Sequence, residues 1–254
     1  ETLTRFWSTF MAEKQSRWGR KEKKPEVVPV LEVRERDLQL PNAVAILLEN
    51  YFTVEECQRY FKILTTEIDW KNQLVTLKSK DDGSEVTGDE PRRTIFMSDP
   101  GLCYEYSGRE NVGQSWHPAV LEIKRKAEEG LARCGLPEVV FNSAQMNRYD
   151  FPRHTLGMHA DNEPDLDRDA PIVSVSFGAT RDFVIQDKAK ETQKWVVPLA
   201  DGAWFVMGGQ MQHLYLHGVP HGGMAGTRIN LTFRVCRPRG YTGGYSQDLS
   251  RRPV

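Results

Sequence analysis

Alternating apolar and polar residues dominate the second half of the chain, between about residues 141 and 235. Alternation with a period of two is typical of β-strands that bury one face. Turns containing Gly, Pro, Asp or charged residues separate eight such segments: 141–149, 155–161, 171–178, 181–187, 194–199, 203–207, 213–218 and 227–235. Short strands at this spacing predict an antiparallel sandwich or barrel, and eight strands in two sheets form a jelly roll.

Helical spacing of apolar residues marks two segments before residue 141. The first begins at Thr53, which makes a capping-box pattern with Glu56, and the second covers residues 117–136 with Pro118 close to its start. Each has an apolar stripe, so we expect the two helices to cover one face of the sheets. The predicted fold is α+β, mainly β: a jelly roll with flanking helices.

Composition and charge restrict the possible partners and compartment. The chain has 254 residues, in which 34 Lys and Arg nearly balance 35 Asp and Glu. A global basic field for nucleic acid is therefore absent, and such binding would need a local patch. The longest apolar runs are far shorter than a membrane span, no secretory signal is visible, and the four Cys form no CxxC pair. We expect a nuclear or cytoplasmic protein that is not secreted.

A candidate metal site begins with His159 and Asp161, whose side chains share one face if they lie on a strand. With one distal histidine they would give two imidazoles and a carboxylate, the facial set that holds non-haem Fe(II). The HxD pair alone favours an ordinary surface strand end over a metal site. His213, His217 and His221 can each supply the distal ligand. We favour His217, which ends an apolar strand where a loop can open onto a site, but the pattern leaves all three open.

The last predicted strand has a polar face made of Arg228, Asn230, Thr232 and Arg234. If this face turns inward, its arginines need an anion, and the planar guanidinium group suits a carboxylate. The two arginines are about 20 Å apart along the strand. With each side chain reaching inward roughly 6–7 Å, the remaining gap fits a small dicarboxylate. The alternative is a solvent-facing strand with two ordinary arginines.

Aromatic and basic residues cluster before the predicted jelly roll. Tyr104 and Tyr106 share one side of an extended segment, where exposed aromatic side chains can stack on bases. Tyrosines packed against the barrel would give the same pattern. Arg92 and Arg93 lie nearby in sequence and are candidate phosphate contacts. The basic residues of this candidate patch are Lys78, Lys80, Arg92, Arg93 and Arg109.

Four motifs, "MNRY", "HADNEPDLDRDAPIVSVSFGATRDF", "HGVP" and "RINLTFR", resemble the AlkB family of Fe(II)/2-oxoglutarate dioxygenases in order and spacing across about residues 91–236. That family removes alkyl groups from nucleic-acid bases. The resemblance implies a double-stranded β-helix, which is a jelly roll, with Fe(II), 2-oxoglutarate and O2 as cofactor and cosubstrates. It also implies demethylation of bases such as 1-methyladenine and 3-methylcytosine in DNA or RNA, with release of formaldehyde, succinate and CO2.

The resemblance also implies roles for single residues. His159, Asp161 and His217 match the iron ligands, which would settle the choice among the histidines. Arg228 matches the arginine that pairs with the distal carboxylate of 2-oxoglutarate, and Arg234 matches a second arginine near its other end. The hydrogen-bonding partners of the cosubstrate match Asn147, Tyr149 and Asn230.

For the substrate, Glu163 matches the acid that faces a flipped base, and Tyr106 matches the aromatic residue that stacks on it, with Tyr104 alongside. Some duplex-specific members carry an apolar wedge in the hairpin before the "PR" motif. Here the predicted hairpin, residues 74–93, is polar. We therefore expect alkylated single-stranded DNA or RNA, rather than duplex DNA, as the partner of a monomer that does not bind membranes.

The predicted organisation has four parts: a charged extension (1–40), helices with a nucleotide-recognition lid (41–140), the catalytic core (141–237) and a flexible tail (238–254). The lid is implied by the resemblance. An alternative function is a 2-oxoglutarate oxygenase that acts on a protein side chain or a small metabolite. The same fold hosts such activities, and the near-zero net charge is compatible with them.

Overall fold

The computed structural model describes residues 31–78, 83–106, 109–222 and 226–237. Every described residue belongs to the unit of residues 31–254. The predicted flexible tail and most of the predicted N-terminal extension therefore lie outside the described residues.

The structure consists mainly of strands. These are β1 Arg34–Asp37, β2 Ala43–Glu49, β3 Lys71–Lys78, β4 Glu85–Ser98, β5 Cys103–Tyr106, β6 Arg109–Val112, β7 Ser143–Tyr149, β8 Leu156–His159, β9 Ile172–Gly178, β10 Arg181–Asp187, β11 Lys194–Leu199, β12 Trp204–Gly209, β13 Tyr215–Val219 and β14 Arg228–Arg234. The helices are α1 Val54–Thr66, α2 Pro118–Arg133 and the single-turn α3 Met211–Leu214.

All eight strands predicted in the second half of the chain are present, as β7 to β14. Four boundaries differ by two residues from the prediction. β7 begins at Ser143 rather than 141 and β8 ends at His159 rather than 161. β12 ends at Gly209 rather than 207 and β13 begins at Tyr215 rather than 213. β12 ends at Gly209, whose positive φ of 59° starts a reversal of the chain. The single turn of α3 completes this reversal before β13 begins.

The strands form two facing sheets and one small hairpin. The large sheet has the order β1-β2-β12-β9-β14-β7-β4-β3, the second has the order β11-β10-β13-β8, and β5 pairs with β6. Between β7 and β14 the chain passes repeatedly from one sheet to the other, with antiparallel pairing throughout. This topology confirms the predicted jelly roll. Strands β1 to β4 extend the large sheet with residues that precede position 141.

Helices α1 and α2 cover the outer face of the large sheet, as predicted. Thr53 and Glu56 form the capping box of α1, in which the Thr53 Oγ1 accepts from the Glu56 N–H at 3.2 Å. In α2, a Cβ added to Gly130 would lie 2.6 Å from the ring of the buried Trp204, so only glycine allows this close approach to β12. No helix in the described parts of the chain is long and apolar enough to cross a membrane.

Both faces of β14 are buried. Ile229, Leu231 and Phe233 join the core that also contains the buried faces of α1 and α2. The opposite side chains, including Arg228 and Arg234, therefore point toward the second sheet. The polar face of this strand thus turns inward, and the solvent-facing alternative is wrong.

A second apolar core lies between the two sheets. Leu47 and Phe205 of the large sheet pack there with Phe183 and Ile185 of the second sheet. The space next to this core is lined by the polar face of β14 and by neighbouring polar side chains. The jelly roll therefore encloses a polar cavity beside an apolar floor.

Candidate metal centre and adjoining cavity

The pairing of β8 with β13 brings two histidines together. His159 and His217 are directly opposite in the register, and their ring centroids are 4.4 Å apart. Asp161 follows two residues after the end of β8. Its Oδ1 lies 3.5 Å from the Nε2 of His159, and its Oδ2 lies 3.7 Å from the Nε2 of His217.

These three side chains could hold a metal ion, since one ligand atom from each lies within 4.8 Å of the others. His213 lies exposed on α3 and His221 lies exposed beyond β13, and neither belongs to this group. The strand register therefore brings His217, and not the other two candidates, to His159 and Asp161.

Neighbouring groups fix the orientation of the candidate ligands. The Nδ1 of His159 lies 2.9 Å from the carbonyl oxygen of Gly157, and an N–H donated there makes Nε2 the nitrogen that would bind a metal. The ring of Phe183 stacks against His217 with centroids 5.3 Å apart. The backbone N–H of Asp161 donates to the Oε1 of Gln212 at 2.9 Å.

Burial and charge set the protonation states that metal binding requires. Burial raises the pKa of Asp161, but Arg234, which donates to its Oδ1 at 2.6 Å, and the two histidines together hold that pKa well below its usual range. Burial, assisted by His159, lowers the pKa of His217 to about 3. At neutral pH the group therefore presents an ionised carboxylate and a neutral His217 imidazole.

A cavity of about 490 Å³, a volume that includes open solvent at its mouth, adjoins the three side chains. It is lined by Arg92, Gln145, Asn147, Tyr149, Leu156, His159, Asp161, Ser174, Phe183, Met207, His217, Val219, Arg228, Asn230, Thr232 and Arg234. All eight residues predicted to bind the metal or the cosubstrate line this cavity.

Arg228 lies in this cavity with 1% of its surface exposed. Its Nη2 donates to the Oγ of Ser176 at 2.9 Å, and its guanidinium lies 5.2 Å from the ring centroid of Tyr149. Among the described residues, its Nε and Nη1 have no hydrogen-bond partner. Burial lowers the pKa of Arg228, but a guanidinium remains charged at neutral pH. A buried cation with unsatisfied donors fits a carboxylate ligand.

A chain of hydrogen bonds connects the amide side chains of the cavity. The Nε of Arg92 donates to the Oδ1 of Asn147 at 2.7 Å, and the Nδ2 of Asn147 donates to the Oδ1 of Asn230 at 3.4 Å. The Nδ2 of Asn230 donates in turn to the Oγ of Ser174 at 2.7 Å. These bonds fix the orientation of both amides.

The prediction that Arg92 contacts phosphate at the surface is wrong. Arg92 is 5% exposed, and its Nη2 lies 2.7 Å from the Oε1 of the equally buried Glu90. Its neighbour Arg93 is partly exposed and pairs with Asp150 at 3.2 Å. Consecutive residues of a strand point to opposite faces, so Arg92 lines the cavity while Arg93 remains available at the surface.

The structure does not place the predicted base contacts in the cavity. Glu163 is half-buried in the segment that follows Asp161 and is not one of the lining residues. Tyr104 and Tyr106 belong to β5, where they pair in register with Asn111 and Arg109. Their side chains, the Arg109 and Lys78 side chains and residue Lys80 lie outside the described parts of the structure. These contacts stay predictions.

Sequence reasoning missed several residues of the site. Ser174 and Ser176 form the polar face of β9, and their alternation with apolar residues was a usable signal. Arg181 is buried and donates to the carbonyl oxygens of His154, at 3.1 Å, and of Pro220. Neither Arg181 nor Gln212 has a sequence pattern that separates it from other polar residues.

The site has two imidazoles and one carboxylate, the ligand set of non-haem Fe(II) enzymes. It lies in a jelly roll beside a cavity with an unsatisfied guanidinium, which suits an anionic ligand. The sequence profile of the 2OG-Fe(II) oxygenase superfamily matches residues 44–234. The chain is 31% identical over 202 residues to the alpha-ketoglutarate-dependent dioxygenase alkB homolog 3 of Bos taurus. This match covers 76% of the chain and 66% of the relative, just under two thirds.

The human DNA oxidative demethylase ALKBH2 is 33% identical over 152 residues, covering 57% of the chain and 56% of the relative. The solved structure titled "The structure of OsALKBH1" matches with a TM-score of 0.56 and 17% identity, and covers 80% of the chain and 100% of that structure. This likeness supports the fold alone. The chain belongs to the 2OG-Fe(II) oxygenase superfamily, and the relatives that it resembles carry alkB-homolog names. Membership implies Fe(II), 2-oxoglutarate and O2, as predicted.

Proposed function

We propose that the protein is an oxidative demethylase that removes N-alkyl groups from DNA or RNA bases with Fe(II), 2-oxoglutarate and O2. The observation that carries this proposal is one cavity with two complementary features. His159, Asp161 and His217 adjoin it, and the guanidinium of Arg228 lies in it with two unsatisfied donors. The first feature suits Fe(II), and the second suits the far carboxylate of 2-oxoglutarate.

His159, Asp161 and His217 would hold the metal on one side, leaving the remaining positions for the cosubstrates. When bound, Fe(II), 2-oxoglutarate and O2 supply oxidising chemistry that converts an N-methyl group to N-hydroxymethyl, which is lost as formaldehyde, while 2-oxoglutarate gives succinate and CO2. Arg234 keeps Asp161 ionised and oriented through their 2.6 Å contact. Because that contact occupies Arg234, Arg228 is the main anchor for the cosubstrate.

The balance of charges in the cavity supports this assignment. Arg92 pairs with Glu90 at 2.7 Å, and Arg234 pairs with Asp161 at 2.6 Å. No ion pair to an acid involves Arg228 among the described residues, and Tyr149 is its aromatic neighbour. A dianionic cosubstrate would provide the missing negative charge.

The names of the relatives support nucleic acid as the substrate class, since one is named a DNA oxidative demethylase. The partly exposed Arg93 can contact phosphate. Tyr104, Tyr106 and Glu163 remain the proposed contacts of an extruded base. The sequence between β3 and β4, residues 79–84, is polar. This favours a single strand over a duplex, because that sequence contains no apolar residue to fill the gap left by a flipped base.

Incubation of the purified protein with Fe(II), 2-oxoglutarate and oligonucleotides containing 1-methyladenine or 3-methylcytosine tests the proposal. We expect loss of one methyl group by mass spectrometry, with matching succinate, and faster reaction on single-stranded DNA or RNA than on duplex DNA. An Asp161→Ala variant is the control without turnover. Succinate formation without demethylation in any strand context would instead favour a protein side chain or a metabolite as substrate.

A further inference from the structure

Asp161 is held differently from the other two members of the candidate metal group. His159 and His217 lie within paired strands, whose hydrogen-bond ladder fixes their backbone. Asp161 lies beyond the end of β8, in a segment without regular secondary structure. Its backbone N–H donates to a side chain, the Oε1 of Gln212, at 2.9 Å.

We propose that Gln212 is a positioning residue for the metal centre, which fixes the backbone of Asp161 so that the carboxylate meets the two imidazoles. This inference rests on the proposed Fe(II) site. Arg234 holds the carboxylate of Asp161 from one side, and Gln212 holds its main chain from the other. Both the position and the direction of the Asp161 side chain are then determined before any metal binds.

The surroundings of Gln212 suit a fixed support. Its side-chain Nε2 donates to the Sδ of Met207 at 3.9 Å, so the side-chain amide oxygen is directed toward Asp161. Its backbone carbonyl oxygen accepts from the Nζ of Lys188 at 2.9 Å. Helix α3 is itself anchored by the fully buried Met211, so Gln212 projects from a packed element rather than from a free loop.

A group that acts through a metal ligand affects metal affinity more than overall folding. Loss of such an outer contact typically weakens metal binding by about 10–100-fold. Gln212→Met keeps a side chain of similar length and removes the acceptor oxygen. Gln210→Met is the matched control, because Gln210 is exposed, directly precedes α3 and makes no side-chain capping hydrogen bond.

The test is calorimetric titration of the purified, metal-free proteins with Mn(II), which binds O- and N-ligand sites without turnover. We expect Gln212→Met to bind Mn(II) about 10–100-fold more weakly than the unsubstituted protein, and Gln210→Met to bind it equally well. Equal affinity in all three proteins would overturn the role of Gln212. Equal losses in both variants would also overturn it, because they would reflect general damage to this segment.

Amide hydrogen exchange in the metal-free proteins gives a second readout that does not depend on metal. The N–H of Asp161 should exchange faster in Gln212→Met than in Gln210→Met, with an unchanged melting temperature. Unchanged exchange at Asp161 contradicts the inference. Absence of Mn(II) and Fe(II) binding in the unsubstituted protein would be a different result, since it overturns the proposed metal site itself.

Discussion

Replacing Arg228 by methionine tests the cosubstrate site most directly. The guanidinium is 1% exposed and has two nitrogens without a hydrogen-bond partner among the described residues. A carboxylate that accepts from both would gain two charge-assisted hydrogen bonds, each contributing about 1.5–3 kcal/mol. The loss of about 3 kcal/mol or more corresponds to at least about 100-fold weaker binding of 2-oxoglutarate.

Thermal unfolding with Mn(II), with and without 2-oxoglutarate, measures this loss without turnover. At a concentration about 100 times the Kd, the cosubstrate should stabilise the unsubstituted protein by about 2.7 kcal/mol. That is a rise in Tm of roughly 5–10 °C for a chain of this size. At the same concentration, Arg228→Met should gain only about 0.4 kcal/mol, or about 1 °C.

The variant should remain folded, because methionine fills part of the arginine volume without leaving a charge. The hydrogen bond lost to Ser176 costs about 1 kcal/mol. Arg34→Met is the control, since Arg34 lies on the edge of the same sheet with 74% of its side chain exposed. A rise in Tm for Arg228→Met as large as that of the unsubstituted protein would refute the assignment of Arg228.

Three further predictions concern the buried charges. Asp161→Ala should abolish turnover and, by leaving Arg234 buried without its acid, lower the free energy of unfolding by about 3–5 kcal/mol, as measured by denaturant titration. Glu90→Gln should weaken the 5%-exposed Arg92 ion pair and cost a similar amount by the same measurement. The pKa of His217 is lowered from 6.5 to about 3, so the unfolded chain binds a proton there that the folded, metal-free protein does not. Stability from this group is present above pH 6.5 and is lost as the pH falls toward 3, and His217→Ala should reduce that dependence.

Matched substitutions separate these effects from general damage. Asp69→Ala and Glu85→Gln change exposed acids and should leave turnover and stability unchanged. His213→Ala should keep the full pH dependence, because His213 is exposed on α3. A full loss of stability in Glu85→Gln, or an unaltered pH profile in His217→Ala, would contradict the assigned roles of Glu90 and His217.

Local sequence was sufficient for the eight strands β7 to β14 and for both long helices, but not for β1 and β2. Turn residues separate the alternating segments, and the Thr53–Glu56 capping box defines the start of α1. β13 begins two residues after the predicted start at 213, because the chain first reverses through Gly209 and the single turn of α3. That reversal depends on packing that local sequence does not show. Alternation also cannot show whether a polar face meets solvent or a second sheet. The structure, and not the pattern, shows that the polar face of β14 points to the second sheet.

The candidate site was predictable in part from the HxD spacing. His159 and Asp161 do come together, but β8 ends at His159, so Asp161 joins the group from beyond the strand. The choice of His217 over His213 and His221 required either the family resemblance or the β8–β13 register. The error at Arg92 had the same origin, since period two separates it from Arg93 without telling which of the two is buried. Gln212 acts across 51 residues of sequence, where no local pattern connects it to Asp161.

The double burial of β14 has a consequence for variation at this strand. Ile229, Leu231 and Phe233 contribute to the core, whereas Arg228 and Arg234 line the cavity. In a library that samples every position from 228 to 234, substitutions at odd positions should therefore lower cellular abundance. Substitutions at even positions should lower specific turnover. Losses at odd positions would be rescued by lower growth temperature. Losses at even positions other than 234, where the buried Asp161 would lose its cation, would leave a well-expressed but inactive protein.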